Sequence, residues 1–253
     1  MSARHFYTRR QIEAKAEDRL RELEQHFGRA LEPPVSIDTL IEHIFDLKIS
    51  WEPIETRPGE RAFGALRPQS RQLILNENEL PIFSSKPGLE RSTKGHELGH
   101  WDLFTDHASL GHPMLPGFDS AEHFVKRSTP KGEVELVRLL MTDPDAYTAY
   151  KEIQRGVDPP GVKSAVDFYA SVLSMPGFLI LPAMKPIHDN WQQWSAKTFN
   201  QQLRDLYDIA ESFDVTISAL KVRLEQLKLL YIPPDEKAVY RNKQEYHGQT
   251  TLL

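Results

Sequence analysis

The sequence predicts an α+β fold, with a short, mostly antiparallel sheet among helices and a C-terminal helical part. Three observations lead to this class. Strand-like segments cluster between residues 47 and 76, apolar residues recur at helical spacing on both sides of that cluster, and residues 199–232 are helical in pattern. At 253 residues the chain can hold one large domain or two small ones. We expect a first domain over residues 1–195 and a helical segment with a tail over residues 196–253.

Composition excludes several classes of protein. No apolar run approaches the roughly 18 residues of a membrane-spanning helix, and the N-terminus lacks a stretch of signal-peptide type. There is no cysteine, hence no disulfide framework and no thiolate metal site. The net charge of −5 gives no general attraction to nucleic acid. We therefore expect a soluble, cytoplasmic protein without a membrane partner, in which histidine and carboxylate hold any metal.

Two helices are predicted before the sheet. Thr8 and Gln11 resemble a capping box, Gly28 is placed to end the helix that follows, and the apolar residues between them recur at helical spacing. After a break at two prolines, Ser36 is expected to cap a second helix whose apolar side ends at Phe45.

The strand candidates are residues 47–51, 61–66 and 72–76, with turn chemistry at residues 68–70. Further helices are expected at residues 133–141, within 143–161, and at 162–175, where Pro176-Gly177 ends the last of them. A polar stretch separates residue 104 from residue 131, and the residues after Pro233-Pro234 are expected to form a loose tail.

The segment from residue 94 to residue 104 contains His-Glu-x-x-His, at His96, Glu97 and His100. Residues four apart on a helix share a face, so both imidazoles can bind one metal ion. Glu97 can then reach a water molecule at that ion, which together describes the open zinc site of hydrolases. We expect Ser92 or Thr93 to cap this helix. Two helical histidines can equally be ordinary core or surface residues, so the context of the motif decides.

Four segments supply that context. Residues 73–76 are Leu-Ile-Leu-Asn, residues 90–101 are Glu-Arg-Ser-Thr-Lys-Gly-His-Glu-Leu-Gly-His-Trp, residues 165–176 end in Leu-Ser-Met-Pro, and residues 209–224 contain Phe-Asp-Val-Thr-Ile-Ser-Ala-Leu. In this order they resemble the ImmA/IrrE metallopeptidases, bacterial and phage proteins with a gluzincin-like fold. The resemblance covers about residues 12–232 and implies a zincin-like domain.

The resemblance also implies an activity. It suggests a zinc-dependent endopeptidase, with Zn²⁺ held by His96 and His100 and with Glu97 as the catalytic base. The implied partner is a protein substrate, a helix-turn-helix transcriptional repressor whose cleavage relieves repression of mobile-element or stress genes.

The third zinc ligand remains open. In the family it is a Glu of a later helix, and that position falls here on Lys163, whose ammonium has no lone pair for a cation. Asp167, one turn further on, is our first candidate for a metal ligand, and the alternative is that it orients a ligand histidine. Asp106 stands where metzincins place their third ligand. The polar stretch adds three weaker candidates, His107, His112 and His123.

Two other functions stay open. Residues 206–230 resemble a helix-turn-helix, so DNA binding is an alternative, although acidic residues such as Glu211, Asp214 and Glu225 disfavour it. Lys163 raises the alternative of a catalytically impaired relative that regulates by binding repressor or DNA, for instance in a toxin–antitoxin type pair.

Details of substrate binding can also be anticipated. Tyr169 is a candidate oxyanion donor only if its ring faces the cleft, and packing is its alternative role. We expect residues 61–66 to form the sheet edge along which a substrate extends.

Overall fold

A computed structural model describes residues 7–56, 60–86, 88–105, 107, 110, 125–130, 160–234 and 237–248. The chain divides into two compact units, Met1–Phe27 with Ser36–Ala170 and Gly28–Val35 with Ser171–Leu253. The division falls within a helix, between Ala170 and Ser171, whereas the sequence led us to place a boundary after residue 195.

Helix α1, Arg9–Phe27, begins and ends at the predicted signals. The amide of Thr8 donates to Oε1 of Gln11 at 2.8 Å, and the amide of Gln11 donates to Oγ1 of Thr8 at 3.3 Å, which is the reciprocal pattern of a capping box. Gly28 follows with φ of 63°, a left-handed conformation that favours glycine. The buried face of α1 consists of Ile12, Ala16, Leu20 and Leu23.

The second predicted helix is only partly α-helical. Oγ of Ser36 accepts from the amide of Thr39 at 3.2 Å and so caps α2, Ile37–Thr39. The chain then continues as a π-helical segment, Leu40–Ile44, whose Leu40 and Ile41 are buried. Apolar spacing predicted the buried face of this segment correctly but could not predict its hydrogen-bond pattern.

The described strands form a mixed four-stranded sheet in the order β1-β3-β2-β4. They are β1 (Lys48–Glu52), β2 (Glu60–Arg67), β3 (Gln72–Asn76) and β4 (Val125–Pro130). β1 pairs parallel with β3, and β2 pairs antiparallel with both β3 and β4. The three predicted strands are confirmed to within a residue at each end. β4 was missed, and because it pairs with β2, the prediction that residues 61–66 form a sheet edge is wrong.

Asn76, at the end of β3, organises the turn that leads out of the sheet. Its Oδ1 accepts from the amides of Ile54 and Asn78 at 3.0 and 3.1 Å, and its Nδ2 donates to the carbonyl of Ala62 at 2.7 Å. These bonds satisfy a buried amide side chain. A 3₁₀ turn, Glu77–Glu79, and helix α3, Leu80–Ser85, follow.

Helix α4, Leu89–Phe104, carries the His-Glu-x-x-His motif and packs against β2, β3 and β4. It begins after Gly88, which has φ of 81°, so the prediction that Ser92 or Thr93 caps it is wrong. Thr93 lies inside the helix, where its hydroxyl donates to the carbonyl of Leu89 at 2.9 Å. Every residue from Thr93 to Leu103 is buried.

Helix α5, Pro160–Ser174, confirms the helix predicted at residues 162–175 and runs from the first unit into the second. The second unit continues with α6 (Gly177–Asp189), α7 (Trp191–Ser195), α8 (Phe199–Ser212), α9 (Ile217–Gln226) and α10 (Lys243–Tyr246). Its core includes buried Met184, Leu206, Phe213 and Leu224. Helices α6 to α9 therefore share one hydrophobic core.

The two helices predicted on either side of a turn at residues 214–216 are present as α8 and α9. The turn between them contains Asp214, with φ of 51°, and Thr216 caps α9 by accepting from the amide of Ala219 at 3.1 Å. The prediction of a loose tail is wrong for part of its length, because Tyr231 and Tyr240 form a β-bridge and Val239 is 6% exposed.

Within the described ranges, no single helix has both the length and the apolar character to cross a membrane. One bent pair, Gly161–Ser174 with Gly177–Asp189, meets that criterion jointly, by length and composition alone. The helix predicted at residues 133–141 lies outside the described residues, as does the stretch 143–161, where a short helix was predicted, except for residues 160 and 161, which belong to α5.

Candidate metal centre

Helix α4 buries polar side chains along its whole central part. Burial of charge is costly unless each group finds a partner. Nζ of Lys94 lies 2.7 Å from Oδ1 of Asp38 and 2.5 Å from Oε1 of Glu90. Burial alone would lower the pKa of Lys94, but hydrogen bonds to these two carboxylates raise it. Lys94 therefore remains a cation and links the first turns of α4 to Asp38 of α2.

Two imidazoles meet at the centre of α4. Nε2 of His96 lies 3.2 Å from Nε2 of His100, and the two residues are 1% and 3% exposed, respectively. Two bare nitrogen lone pairs at this distance repel each other, so a proton or a cation has to lie between them. The sequence prediction that both rings point to one place is thus met in the structure.

The other edge of the His96 ring contacts a carboxylate. Nδ1 of His96 lies 2.8 Å from Oδ1 of Asp167 on α5. A carboxylate accepts the Nδ1 proton, which leaves Nε2 without one and fixes the ring in the tautomer that binds a metal. Asp167 therefore contacts the side of the ring away from His100, which is where an orienting partner of His96, our alternative interpretation, would lie. The geometry does not place it as a ligand beside the two Nε2 atoms.

Glu97 lies against strand β2. The residue is fully buried, and its Oε1 would be 3.2 Å from a Cβ atom built on Gly64. The same Cβ would be 2.7 Å from Cγ2 of Thr93. Only a residue without a side chain fits here. Gly64 thus allows α4 to approach the sheet closely enough for the Glu97 carboxylate to reach the β2 backbone.

A second close approach joins α4 to α5. A Cβ on Gly95 would lie 3.1 Å from Cβ of Ala170, and a Cβ on Gly99 would lie 2.8 Å from Cβ of Val166. Small residues four apart let two helices pack with their backbones in near contact. Because Asp167 follows Val166, this contact is what brings its carboxylate to His96.

Behind the centre, Asp102 ties α4 to α1 and α5. Its Oδ1 accepts from Nζ of Lys15 at 2.8 Å and from Nη2 of Arg19 at 2.9 Å, and its Oδ2 accepts from the hydroxyl of Tyr169 at 2.8 Å. Burial would raise the pKa of Asp102, but Arg19 and Lys15 lower it below its usual value. Burial and the neighbouring Asp102 raise the pKa of Tyr169 well above its usual value.

This network also decides the position of Tyr169. Its hydroxyl is committed to Asp102 and the residue is fully buried, so the structure places it in packing, the alternative that we gave for it. The sequence alone did not indicate the roles of Asp102 and Gly64. The one available signal in the sequence concerned a different contact. The Gly95-x-x-x-Gly99 spacing indicates that another helix packs closely on α4, but it does not identify that helix.

The remaining candidate ligands do not join the two imidazoles within the described residues. Lys163 is exposed on α5. Nε2 of His107 lies 3.0 Å from the carbonyl of Trp101, and its ring packs edge-on against that indole. Asp106, His112 and His123 lie outside the described residues. Across the described part of the chain, no group of three or more His, Cys, Asp or Glu side chains is arranged to hold a metal ion.

Comparison with known proteins adds no assignment. A scan against models of protein families finds no match, and a search of curated proteins finds no significant relative. A functional assignment therefore rests on the geometry around His96, Glu97 and His100 and on the motifs of the sequence.

Proposed function

We propose that the protein is a zinc-dependent endopeptidase. The observation that carries this proposal is the separation of 3.2 Å between the Nε2 atoms of His96 and His100 on a buried helix. Glu97, between them in sequence, is fully buried on the same helix. A pair of adjacent imidazoles with a carboxylate beside it is the residue set of the open zinc sites found in hydrolases.

The two histidines fit a zinc ion. Nitrogens bound to a tetrahedral zinc ion at about 2.0–2.1 Å lie about 3.3 Å apart, and the observed separation is 3.2 Å. His96 also has the carboxylate partner at Nδ1 that zinc-binding histidines usually have. His96 and His100 would hold the metal. This fit covers two of the usual three protein ligands, and no third His, Cys, Asp or Glu side chain joins them within the described residues.

Each residue of the site has a role in peptide hydrolysis. A zinc ion held by His96 and His100 would be a Lewis acid, able to polarise a carbonyl and to lower the pKa of water. The carboxylate of Glu97 accepts a proton from the attacking water and delivers it to the amine nitrogen that departs. Asp167 holds the Nδ1 proton of His96, so that Nε2 keeps its lone pair. Gly64 leaves room for Glu97 beside strand β2.

The substrate class follows from the resemblance to the ImmA/IrrE metallopeptidases. Residues 90–101 carry the metal motif of that type, and residues 73–76 and 165–176 flank it in the same order. We infer a zincin-like domain that cleaves a helix-turn-helix repressor in the cytoplasm and so relieves repression of mobile-element or stress genes.

A catalytically impaired regulator is the second candidate. The observation that favours it is Lys163, which stands exposed where the resemblance implies a glutamate ligand. Such a protein would bind a repressor, or DNA, without cutting. The helix-turn-helix-like pair α8 and α9 suits binding, but its exposed Glu211, Asp214 and Glu225 would repel phosphates.

Metal analysis and cleavage distinguish the two candidates. We expect about one zinc ion per chain, lost in His96→Ala and kept in the control His188→Ala, a histidine exposed on α6. Zinc-loaded protein should cleave fluorescein-labelled casein, and Glu97→Gln should retain zinc but lose cleavage. Zinc binding without any cleavage would favour the regulator. Absence of zinc, or full activity of Glu97→Gln, would refute the proposed mechanism.

A further inference from the structure

Strand β4 occupies the edge of β2 that faces away from β3. On the inner side, residues Gly64 to Arg67 of β2 pair with β3. On the outer side, five residue pairs join β2 to β4, from Glu60↔Pro130 to Leu66↔Val125. β4 belongs to a stretch that follows the metal helix in sequence, so the chain folds back to cover its own sheet.

The covered edge belongs to the strand that lies against the carboxylate of Glu97. Gly64 of β2 is the residue whose Cβ position lies 3.2 Å from Oε1 of Glu97. The pairing of β2 with β4 is interrupted between Ala62 and Ala65, which is the interval that contains Gly64. An extended chain on this edge therefore passes the carboxylate at the point where the ladder is broken.

Peptides commonly bind by adding a strand to a sheet edge, because the main chain supplies the hydrogen bonds and leaves the side chains to give specificity. Neighbouring strands lie about 4.8 Å apart, so a peptide paired with β2 would bring its backbone beside Glu97. The inner side of β2 is taken by β3 from Gly64 to Arg67. A peptide that pairs with β2 at Gly64 must consequently use the outer edge.

We propose that the outer edge of β2 is the docking site for an extended peptide substrate, and that β4 is an internal strand which must leave before the peptide binds. This inference rests on the proposed peptidase function and adds its regulation. The interrupted ladder suits such a role, because it separates three pairs from two and ends at Pro130, which has no amide proton to donate.

The energetic consequence is competition within one molecule. A strand tethered to the same chain acts at an effective concentration in the millimolar range. The apparent affinity for an added peptide falls by the fraction of molecules in which the edge is open. An unmodified chain should accordingly bind and cut extended peptides weakly, and loss of β4 should increase both.

A disulfide lock tests whether β4 blocks the edge. Arg61 and Thr129 are directly opposed in the β2–β4 ladder, and opposed Cα atoms lie about 4.5–5.5 Å apart, within disulfide range. The chain has no cysteine, so the double variant Arg61→Cys/Thr129→Cys contains one pair. Oxidation should form the crosslink and reduce casein cleavage at least tenfold, reversibly with reductant, whereas each single variant should be unaffected by oxidation.

A complementary variant opens the edge. Successive amides in a strand point in opposite directions, so one of the amides of residues 127 and 128 faces β2. The double variant Arg127→Pro/Ser128→Pro removes that donor, whichever of the two residues carries it. The matched control, Arg127→Ala/Ser128→Ala, keeps both amides. The probe is a fluorescein-labelled synthetic peptide with the sequence of residues 123–132, followed by anisotropy. We expect the proline variant to bind it at least tenfold more tightly than the alanine control.

The outcomes separate this inference from the peptidase proposal, because peptide binding is measured without reference to zinc or catalysis. Failure of the crosslink to form, or equal peptide affinity of the proline and alanine variants, would overturn the inference and leave the peptidase proposal standing if casein is cut. Peptide binding at the opened edge by a protein that neither binds zinc nor cleaves casein would support this inference and overturn the peptidase proposal. Should the proline variant not fold, peptide affinity of the locked protein before and after reduction decides.

Discussion

Gly99 of α4 lies so close to Val166 of α5 that an added Cβ would meet Cβ and Cα of Val166 at 2.8 and 2.9 Å. The contacted atoms are backbone or directly attached to it, so a side-chain rotation cannot relieve the clash. We predict that Gly99→Ala lowers the free energy of unfolding by about 1–3 kcal/mol, as measured by urea denaturation. Separation of the helices should also move Asp167 away from His96 and weaken zinc binding.

The control is on the same pair of helices. Gly161 of α5 has nothing within 4 Å of its Cβ position. Gly161→Ala should therefore leave zinc affinity unchanged and stabilise the protein by up to about 1 kcal/mol, since alanine reduces the entropy of the unfolded chain. Equal stability of Gly99→Ala and Gly161→Ala would show that the α4–α5 contact is looser than described.

Gly64 and Thr93 provide a test of the approach of α4 to the sheet. A Cβ on Gly64 would lie 2.7 Å from Cγ2 of Thr93 and 3.2 Å from the carbonyl oxygen of Ile74. Gly64→Ala should destabilise the protein by about 1–3 kcal/mol. Thr93→Ser removes the contacted methyl group but keeps the hydroxyl that bonds to Leu89.

The two substitutions should therefore be non-additive. In a double-mutant cycle followed by urea denaturation, we expect Thr93→Ser to recover about 1 kcal/mol of the cost of Gly64→Ala. Strict additivity would mean that the carbonyl of Ile74 or the carboxylate of Glu97, not Thr93, resists the added methyl group.

Local chemistry could be predicted from the sequence with little ambiguity. Thr8 with Gln11, Gly28 and Ser36 each act within four residues of their own position, and all of them cap or end helices as expected. The three strands between residues 47 and 76 were visible because alternation and turn residues are local patterns too. Helix α6 was harder to predict, because prolines such as Pro182 and Pro186 usually end or kink a helix.

Partners distant in sequence could not be predicted in this way. Asp102 meets Lys15 and Arg19 across more than 80 residues, and nothing in the segment around it indicates those cations. The same limit applies to β4. Its pairing with β2 is visible in the structure, but its polar sequence gives no indication of it. For the site, helical spacing was enough to bring His96 and His100 together, whereas the position of Asp167 depends on the packing of α5.

Asp102 should be important for stability because its side chain is only 2% exposed while it compensates two cations. Asp102→Asn removes the charge that Lys15 and Arg19 face and weakens the acceptor for Tyr169. We predict a loss of about 2–3 kcal/mol in urea denaturation, less than for a fully buried pair because both cations are partly exposed. Asp18→Asn, at an exposed residue of α1, should change stability by less than about 0.5 kcal/mol. Comparable effects of the two substitutions would refute the role assigned to the network.

Asp167 can be tested as the residue that orients His96. Asp167→Ala should weaken zinc binding by about 10–100-fold, the usual effect of removing a carboxylate partner from a ligand histidine, as measured by competition with a chromophoric chelator. Asp167→Asn should weaken it less, because the amide oxygen still accepts the Nδ1 proton of His96. Lys163→Ala, one turn earlier on the same exposed face, serves as the control and should leave zinc affinity unchanged.

If Asp167→Asn were as damaging as Asp167→Ala, the charge of the carboxylate and not its hydrogen bond would be what the metal centre requires. Loss of zinc in Lys163→Ala would instead place that lysine at the centre and contradict its exposed position on α5.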